Sequence, residues 1–280
     1  MLMKTSITIV SFLLFLTILY SCKKSETYQV YAIKFSNGWK IQAKGVVIGA
    51  DQSDSVDVCN MFWLLKSSKG RNILVDAGFI DSTHSSRNYI RPDSMLMQLG
   101  LKIQDISDII ITHPHYDHIS GITLFPNAKI WMQQDDYDYF IGPAWLEKGD
   151  NRGFEKGDVE NIKSVNANGR LKLLKGDNIE IMPGIKAFIG SKHTFENQYL
   201  IVNANAGKDK VLLASDAIWF NLNLDKELPV SICLDPVQYV KAIKRIKTLA
   251  KNPDLIIAGH DNSVFSKFPK VRDWIVRIEK

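Results

Sequence analysis

The chain has 280 residues, 45% of them hydrophobic and 23% charged, a globular balance with enough length for one large core or two fused halves. A formal charge of +5 is small for that length, and the basic residues are spread out except at Lys241, Lys244, Arg245, Lys247 and Lys251, which on a helix read as a solvated face. Net charge therefore makes no case for a nucleic-acid partner.

The first 22 residues are a different material. Lys4 supplies a short positive start, and residues 7–20 are nearly all apolar. That run is shorter than the ~20 residues of a membrane span and fits the apolar part of a secretory signal. The stretch Leu19-Tyr20-Ser21-Cys22 resembles a bacterial lipobox, which implies cleavage before Cys22 and lipidation of its sulfur. An uncleaved anchor helix is the alternative, and both place the rest of the chain outside the cytoplasm. The expected division is a lipoprotein signal peptide over 1–22 and one domain over 23–280. The expected location is membrane-anchored at Cys22, on the periplasmic side or the cell surface. Lys23, Lys24 and Ser25 read as the start of a polar tether.

The mature part opens with strand-like runs at 28–35, 40–48, 58–65 and 72–75, punctuated by Gly38, Gly49, Gly70 and Gly78. A helix is predicted over 91–99, with Pro92 near its start. Residues 108–111 and 129–132 are short β-branched or apolar runs, and 133–140 reads as helical. Residues 142–157 read as a loop. Further strands are predicted at 171–174, 179–181, 185–189, 199–202, 211–214 and 255–258. Asp235-Pro236 starts a helix by the cap-and-proline rule, with Val237, Val240, Ile243 and Ile246 as its apolar stripe. Residues 271–278 read as a closing helix. Strand-rich halves with interspersed helices suggest sheets covered by helices. Cys59 and Cys233 sit in apolar runs that favour buried free thiols over a bridge.

The sharpest signal is Thr112-His113-Pro114-His115-Tyr116-Asp117-His118, three histidines and an aspartate directly after the apolar run 108–111. A loop leaving a strand can turn His113 and His115 to one point, and Asp117 and His118 to a second point nearby. Imidazole and carboxylate suit a borderline cation such as zinc. Three more residues share this placement: His193 after 185–189, Asp216 after 211–214 and His260 after 255–258. Each alone would be an ordinary polar side chain, but five of the six histidines lie just beyond a predicted strand. The sixth, His84, lies in the polar run 82–88 and reads as a surface loop residue.

In this order, the motif with His193, Asp216 and His260 resembles the metallo-β-lactamase superfamily. Val75-Asp76-Ala77-Gly78 resembles the aspartate-bearing turn upstream of that family's histidine motif. The resemblance runs from about Val58 to Phe268. It implies a four-layer αββα sandwich of the α/β class with two divalent metal ions, zinc by preference, at one edge. One ion would be held by His113, His115 and His193, the other by Asp117, His118 and His260, with Asp216 bridging and Asp76 orienting a ligand from behind. Two such cations would share a hydroxide that attacks an ester-like carbonyl, with Asp117 placed as the catalytic proton shuttle.

Asp216 speaks against the antibiotic-hydrolysing branch, which does not use a bridging aspartate. The stretches Ser215-Asp216-Ala217-Ile218-Trp219 and Ala258-Gly259-His260-Asp261 resemble the N-acyl homoserine lactonase group, which implies a lactonase acting on a small ester-like substrate. That group often has a tyrosine where Trp219 stands, and the superfamily often has Pro-Gly-His where Thr194-Phe195-Glu196-Asn197 stands, so a different pocket is expected. A thioesterase of the glyoxalase II type, a phosphodiesterase and a non-catalytic metal-binding lipoprotein are the rival readings. Pocket candidates are Met61, Phe62, Trp63, Tyr137, Tyr139, Phe140, Trp145, Trp219 and Phe220, of which two or three are expected to face a ligand.

Overall fold

A computed structural model of the chain describes residues 26–84 and 88–279. The signal peptide and the lipidated Cys22 expected from the sequence lie outside the described residues. Among the described residues no helix is long and apolar enough to cross a membrane.

The chain begins with a long hairpin, β1 (Tyr28–Gln42) and β2 (Ser55–Ser67), followed by β3 (Asn72–Val75), α1 (Pro92–Met97), β4 (Ile106–Ile110), α2 (Tyr116–Ile119), β5 (Lys129–Gln133), α3 (Gln134–Ile141), α4 (Lys156–Ala167) and β6 (Leu171–Leu174). The second half runs β7 (Ile179–Met182), β8 (Ile185–Ile189), β9 (Gln198–Ala204), β10 (Asp209–Ser215), α5 (Asn221–Lys226), α6 (Pro236–Leu249), β11 (Ile256–Ala258), α7 (Val264–Lys267), β12 (Lys270–Arg272) and β13 (Ile275–Ile278). Strands β13-β1-β2-β3-β4-β5-β6 lie side by side, as do β7-β8-β9-β10-β11. A single pairing of Tyr28 with Ala204 joins the two runs.

Period-2 alternation explains why the two runs stack. Leu64, Leu74, Ile109 and Ile130 turn one way, into a core shared with Met95, Leu96, Phe140, Val159 and Ile162 of α1, α3 and α4. Their neighbours Trp63, Leu65, Ile73, Val75 and Ile110 turn the other way and meet Ile185, Leu200, Val202, Val211, Leu213 and Ile257. On the far side of that second sheet, Phe188, Tyr199, Leu212 and Ala214 pack on Tyr239, Ile243 and Ile246 of α6. The result is helices, sheet, sheet, helix, the αββα sandwich that the sequence implied.

Most expected strands form, with differences that have local causes. Residues 40–48 do not form a separate strand. β1 continues to Gln42 and then tightens into a 3-10 turn at Ala43–Gly45. Gly38 is no turn: a Cβ there would lie 2.0 Å from the Val58 carbonyl oxygen, so it marks close passage of β1 over β2. The closing segment is two strands rather than a helix. Trp274 takes a left-handed φ of 66° between β12 and β13, and Ile275 and Val276 pair with Ile33 and Ala32. The segment expected as a loop holds a 3-10 turn at Pro143–Trp145, and α4 begins at Lys156. α6 starts as expected, with Asp235 Oδ1 accepting from the Val237 and Gln238 amides at 2.9 and 3.0 Å. Its buried stripe is Tyr239, Ala242, Ile243 and Ile246, while Val237 is exposed. Cys59 and Cys233 are buried free thiols.

The site follows from this arrangement. β3 and β4 are parallel neighbours, as are β10 and β11. The segments leaving β3, β4, β8, β10 and β11 carry Asp76, the 113–118 motif, His193, Asp216 and His260 in turn.

Candidate metal centre

The structure brings all seven expected side chains together. His113, His115, His193 and Asp216 form one group and Asp117, His118 and His260 a second, with candidate ligand atoms within 4.8 Å of one another inside each group. In the first, His115 Nδ1 lies 3.1 Å from His113 Nε2 and 2.9 Å from His193 Nε2. In the second, Asp117 Oδ2 lies 3.5 Å from His118 Nε2 and 3.6 Å from His260 Nε2. The Asp216 carboxylate stands between them. Its Oδ2 is 3.1 Å from His193 Nε2 and 3.6 Å from His113 Nε2, and its Oδ1 is 3.3 Å from His118 Nε2 and 3.2 Å from His260 Nε2.

Outer hydrogen bonds set which ring nitrogen faces inward. His193 Nδ1 lies 2.6 Å from the Ile232 carbonyl and His260 Nδ1 lies 3.0 Å from the Cys59 carbonyl. A carbonyl only accepts, so each Nδ1 carries a proton and each ring turns its Nε2 toward the cluster. His118 Nδ1 faces Asp76 Oδ2 at 2.8 Å, and Asp76 is itself held by the Thr112 amide at 2.7 Å and the Thr112 hydroxyl at 2.9 Å. Asp76 thus orients His118 from behind, as the resemblance implied.

The backbone is bent to serve this geometry. Asp76 and Ser215 adopt φ of 63° and 46°, a left-handed region that costs non-glycine residues roughly 1–3 kcal/mol. Buried bonds hold them there: the Asp76 amide donates to Ile110 O, and Ser215 Oγ contacts Thr112 Oγ1 at 2.9 Å. Two glycines make room. A Cβ on Gly153 would lie 2.7 Å from the His115 ring, and one on Gly259 would lie 2.9 Å from Asp216 Oδ1.

The electrostatics divide the two groups. Burial drives His113 well below the usual histidine range and takes His115 down to about 3, so both are neutral donors. Burial also pushes His118 and His260 down, but it is outweighed by Asp117 and Asp216, joined at His118 by Asp76, and both end above the usual value. Burial pushes Asp117 and Asp216 up, yet the surrounding imidazoles win, bringing Asp117 to about 2 and Asp216 well below the carboxylate range. Both carboxylates are therefore held in the ionised form.

This donor set fits a divalent metal. His118 Nε2 and Asp216 Oδ1 are buried without a hydrogen-bond partner, which is costly unless something else satisfies them. Imidazole nitrogens and carboxylate oxygens facing one another at 2.9–3.6 Å are the neighbours a cation would separate and neutralise.

A cleft of about 220 Å³ opens beside Asp117, Asp216 and His260. Of the nine expected pocket residues, Trp219 and Phe220 line it. Met61 and Trp63 pack between the sheets, and Phe62, Tyr137 and Phe140 pack under the helices. Trp145 packs against that helical core, and Tyr139 stacks on Phe195. The sequence reading missed Trp39, Ile41, Val46, Val58 and Ile232, which form the apolar walls. It also misplaced His84, which is half-buried, stacks on Tyr116 at 4.4 Å and lines the cleft. Periodicity offers no sign of that contact, which spans 32 residues of sequence. Larger polar grooves, of about 600 and 670 Å³, lie elsewhere beside Lys66 and Arg277 and beside Lys40 and Asp57. No metal-ligand group among the described residues lies in them.

Comparison with known proteins gives the same class. N-acyl homoserine lactonase of Bacillus cereus is 27% identical over 218 residues, 71% of this chain and 80% of that protein. N-acyl homoserine lactonase AttM of Rhizobium radiobacter is 24% identical over 188 residues, 63% of this chain and 66% of that protein. The crystal structure of a B. thuringiensis AiiA mutant with N-decanoyl-L-homoserine bound at the active site superposes with a TM-score of 0.68 at 22% identity, covering 88% of this chain and 98% of that one. AidC, a dizinc quorum-quenching lactonase in complex with a product, superposes at 0.63 and 16% identity over 85% and 91% of the two chains. The metallo-beta-lactamase superfamily profile matches residues 55–260, and the chain belongs to that superfamily.

Proposed function

We propose that this chain is a dinuclear metal-dependent hydrolase of the N-acyl homoserine lactonase type. The observation that carries the reading is the Asp216 carboxylate, which turns Oδ2 to one group of histidines and Oδ1 to the other. His113, His115 and His193 would hold one ion, Asp117, His118 and His260 the second, and Asp216 both; zinc suits this set. Bound there, such a pair would supply a nucleophile near neutral pH and Lewis acidity for a carbonyl. Asp117, ionised and at the cleft edge, accepts a proton from the attacking side and returns it to the leaving alkoxide. Trp39, Ile41, Val46, Phe220 and Ile232 offer an apolar surface to an acyl chain, and Asn60, His84 and Tyr116 offer polar contacts. Among the described residues no lysine or arginine lines the cleft.

A hydrolysis panel of lactones, thioesters and phosphodiesters on zinc-loaded protein, with metal content measured beside the kinetics, tests the proposal. Lactone turnover with two zinc equivalents is expected, and His118→Ala should lose one equivalent and most activity. Lactones inert at every chain length beside an active thioester would move the reading to a glyoxalase II type thioesterase. Full activity in a one-metal variant would sink the dinuclear part. Export is proposed on the signal-like first 22 residues. Labelled fatty acid should enter the wild type and be absent from Cys22→Ser, and labelling of both would remove the anchor.

A further inference from the structure

The indole of Trp219 touches three of the seven converging side chains. Its Nε1 donates to Asp216 Oδ2 at 2.6 Å. The ring stands edge-on to His193 at 5.6 Å and to His260 at 5.4 Å, one histidine from each group. The backbone adds to this, since the His260 amide donates to the Trp219 carbonyl at 3.0 Å and the Gly259 amide to the Ile218 carbonyl at 2.9 Å. One residue therefore ties the turn bearing Asp216 to the turn bearing His260.

Indole has one donor and no acceptor, so an N–H given to Oδ2 is not offered to a substrate while that bond holds. The two Asp216 oxygens are thereby unequal. Oδ2 receives the indole N–H, while Oδ1 is buried without a hydrogen-bond partner and lies 3.2 Å from His260 Nε2. A carboxylate turning about Cβ–Cγ would present its oxygens to the two groups in varying planes. The N–H fixes that plane with Oδ2 toward His113 and His193 and Oδ1 toward His118 and His260.

We infer that Trp219 is a positioning residue that locks the plane of the bridging Asp216 carboxylate and so strengthens retention of both metals, and that it is not a hydrogen-bond donor to substrate. The inference rests on the dinuclear reading above. It is a property of this chain's own tryptophan, since a side chain without an N–H cannot give that bond.

The test uses the full mature chain with Trp219→Phe, which keeps an aromatic ring and loses the N–H, and Trp219→Gln, which keeps a donor and loses the ring. Zinc retained under graded chelator, the melting temperature of the metal-free protein, and KM and kcat on the best wild-type substrate are measured. Trp219→Phe should release zinc at about tenfold lower chelator, the lower end of outer-layer effects on metal sites. Its metal-free melting temperature should match wild type, and its KM should stay within about twofold while kcat falls with zinc occupancy. Trp219→Gln should hold zinc better than Trp219→Phe. Wild-type zinc retention by Trp219→Phe overturns the inference. So does a raised KM at full zinc occupancy, which would give the N–H to substrate. A lower metal-free melting temperature, or weaker retention by Trp219→Gln than by Trp219→Phe, overturns it too, because the ring rather than the donor would then matter. Wild-type protein that takes up no zinc is a separate failure, which removes the metal reading itself.

Discussion

Asp136 on α3 is 1% exposed, and its carboxylate accepts from the Thr194 hydroxyl at 2.8 Å and the Glu196 amide at 3.2 Å. Burial pushes its pKa from 3.8 up to about 7, with Glu196 adding to the rise and the two hydrogen bonds and Lys192 opposing it. A carboxyl raised in the folded state favours folding while protonated. Its contribution is complete below pH 3.8, is lost as pH rises toward about 7, and changes no further above that. A gap of about three pH units at ~1.4 kcal/mol each is worth about 4 kcal/mol, of which about 2 falls between pH 5.5 and 7. Asp136→Asn removes the titration. Its carbonyl still accepts from the Glu196 amide, and its amide can donate to the Thr194 hydroxyl. Urea unfolding of wild type and variant, with chelator present so that metal binding does not contribute, should show the wild type losing about 2 kcal/mol relative to the variant over that window and running parallel above it. A constant difference from about pH 5.5 to 8.5 would refute the reasoning, because linkage requires a slope wherever the two states bind different numbers of protons.

Two further outcomes bear on the site. Gly153→Ala places a Cβ 2.7 Å from the His115 ring at a φ of +77°, so the backbone strains by ~1–2 kcal/mol and the ring must shift. Zinc retention under chelator should fall about 10–100-fold, and unchanged retention would show that His115 has room to spare. Asp76→Asn leaves an amide where a carboxylate accepts from the Thr112 amide, the Thr112 hydroxyl and His118 Nδ1. Zinc should fall toward one equivalent per chain, and two firmly held equivalents would show that His118 keeps its orientation unaided.

The fold was legible where local chemistry and tertiary context agree. The β-branched runs became strands, and the Asp235-Pro236 start became a cap with two side-chain hydrogen bonds. It was not legible where a distant partner decides. Ile275 to Ile278 could wind as a helix, but β1, more than 240 residues earlier, offers an edge to pair with, and a left-handed Trp274 turns the chain onto it. α6 shows the same limit. Its apolar residues permit a stripe through Val237, yet the face turned inward carries Tyr239, a residue with a polar tip. Burial is tolerated because the Tyr239 hydroxyl donates to the Asp216 carbonyl at 2.8 Å, a partner that exists only once β10 is in place. α4 escaped notice because its apolar Val159, Ile162 and Val165 are diluted by polar neighbours in a segment that begins with glycine-rich loop.

The candidate site divides along a similar line, and the division has a physical cause. Candidate ligands need particular side chains, histidines are few, and the segments leaving strands are where such groups can converge, so residue type and position together picked out the seven side chains that the structure brings together. A cleft wall needs only apolar surface, which many residue types supply, so type carries almost no information about which residues face it. Trp39 and Ile41 lie at the far end of β1, which shifts its register against β2 between Lys34 and Ser36 and again between Asn37 and Lys40, and Val46 lies just past that strand; all three line the cleft. One single-residue shift turns side chains to the opposite face of a strand, and a second restores the alternation two residues further along. His84 meets the same condition, since its place beside Tyr116 depends on a 3-10 turn that closes on Asp81. The converging side chains are thus written in residue identity, and the cleft wall in how distant backbone segments meet.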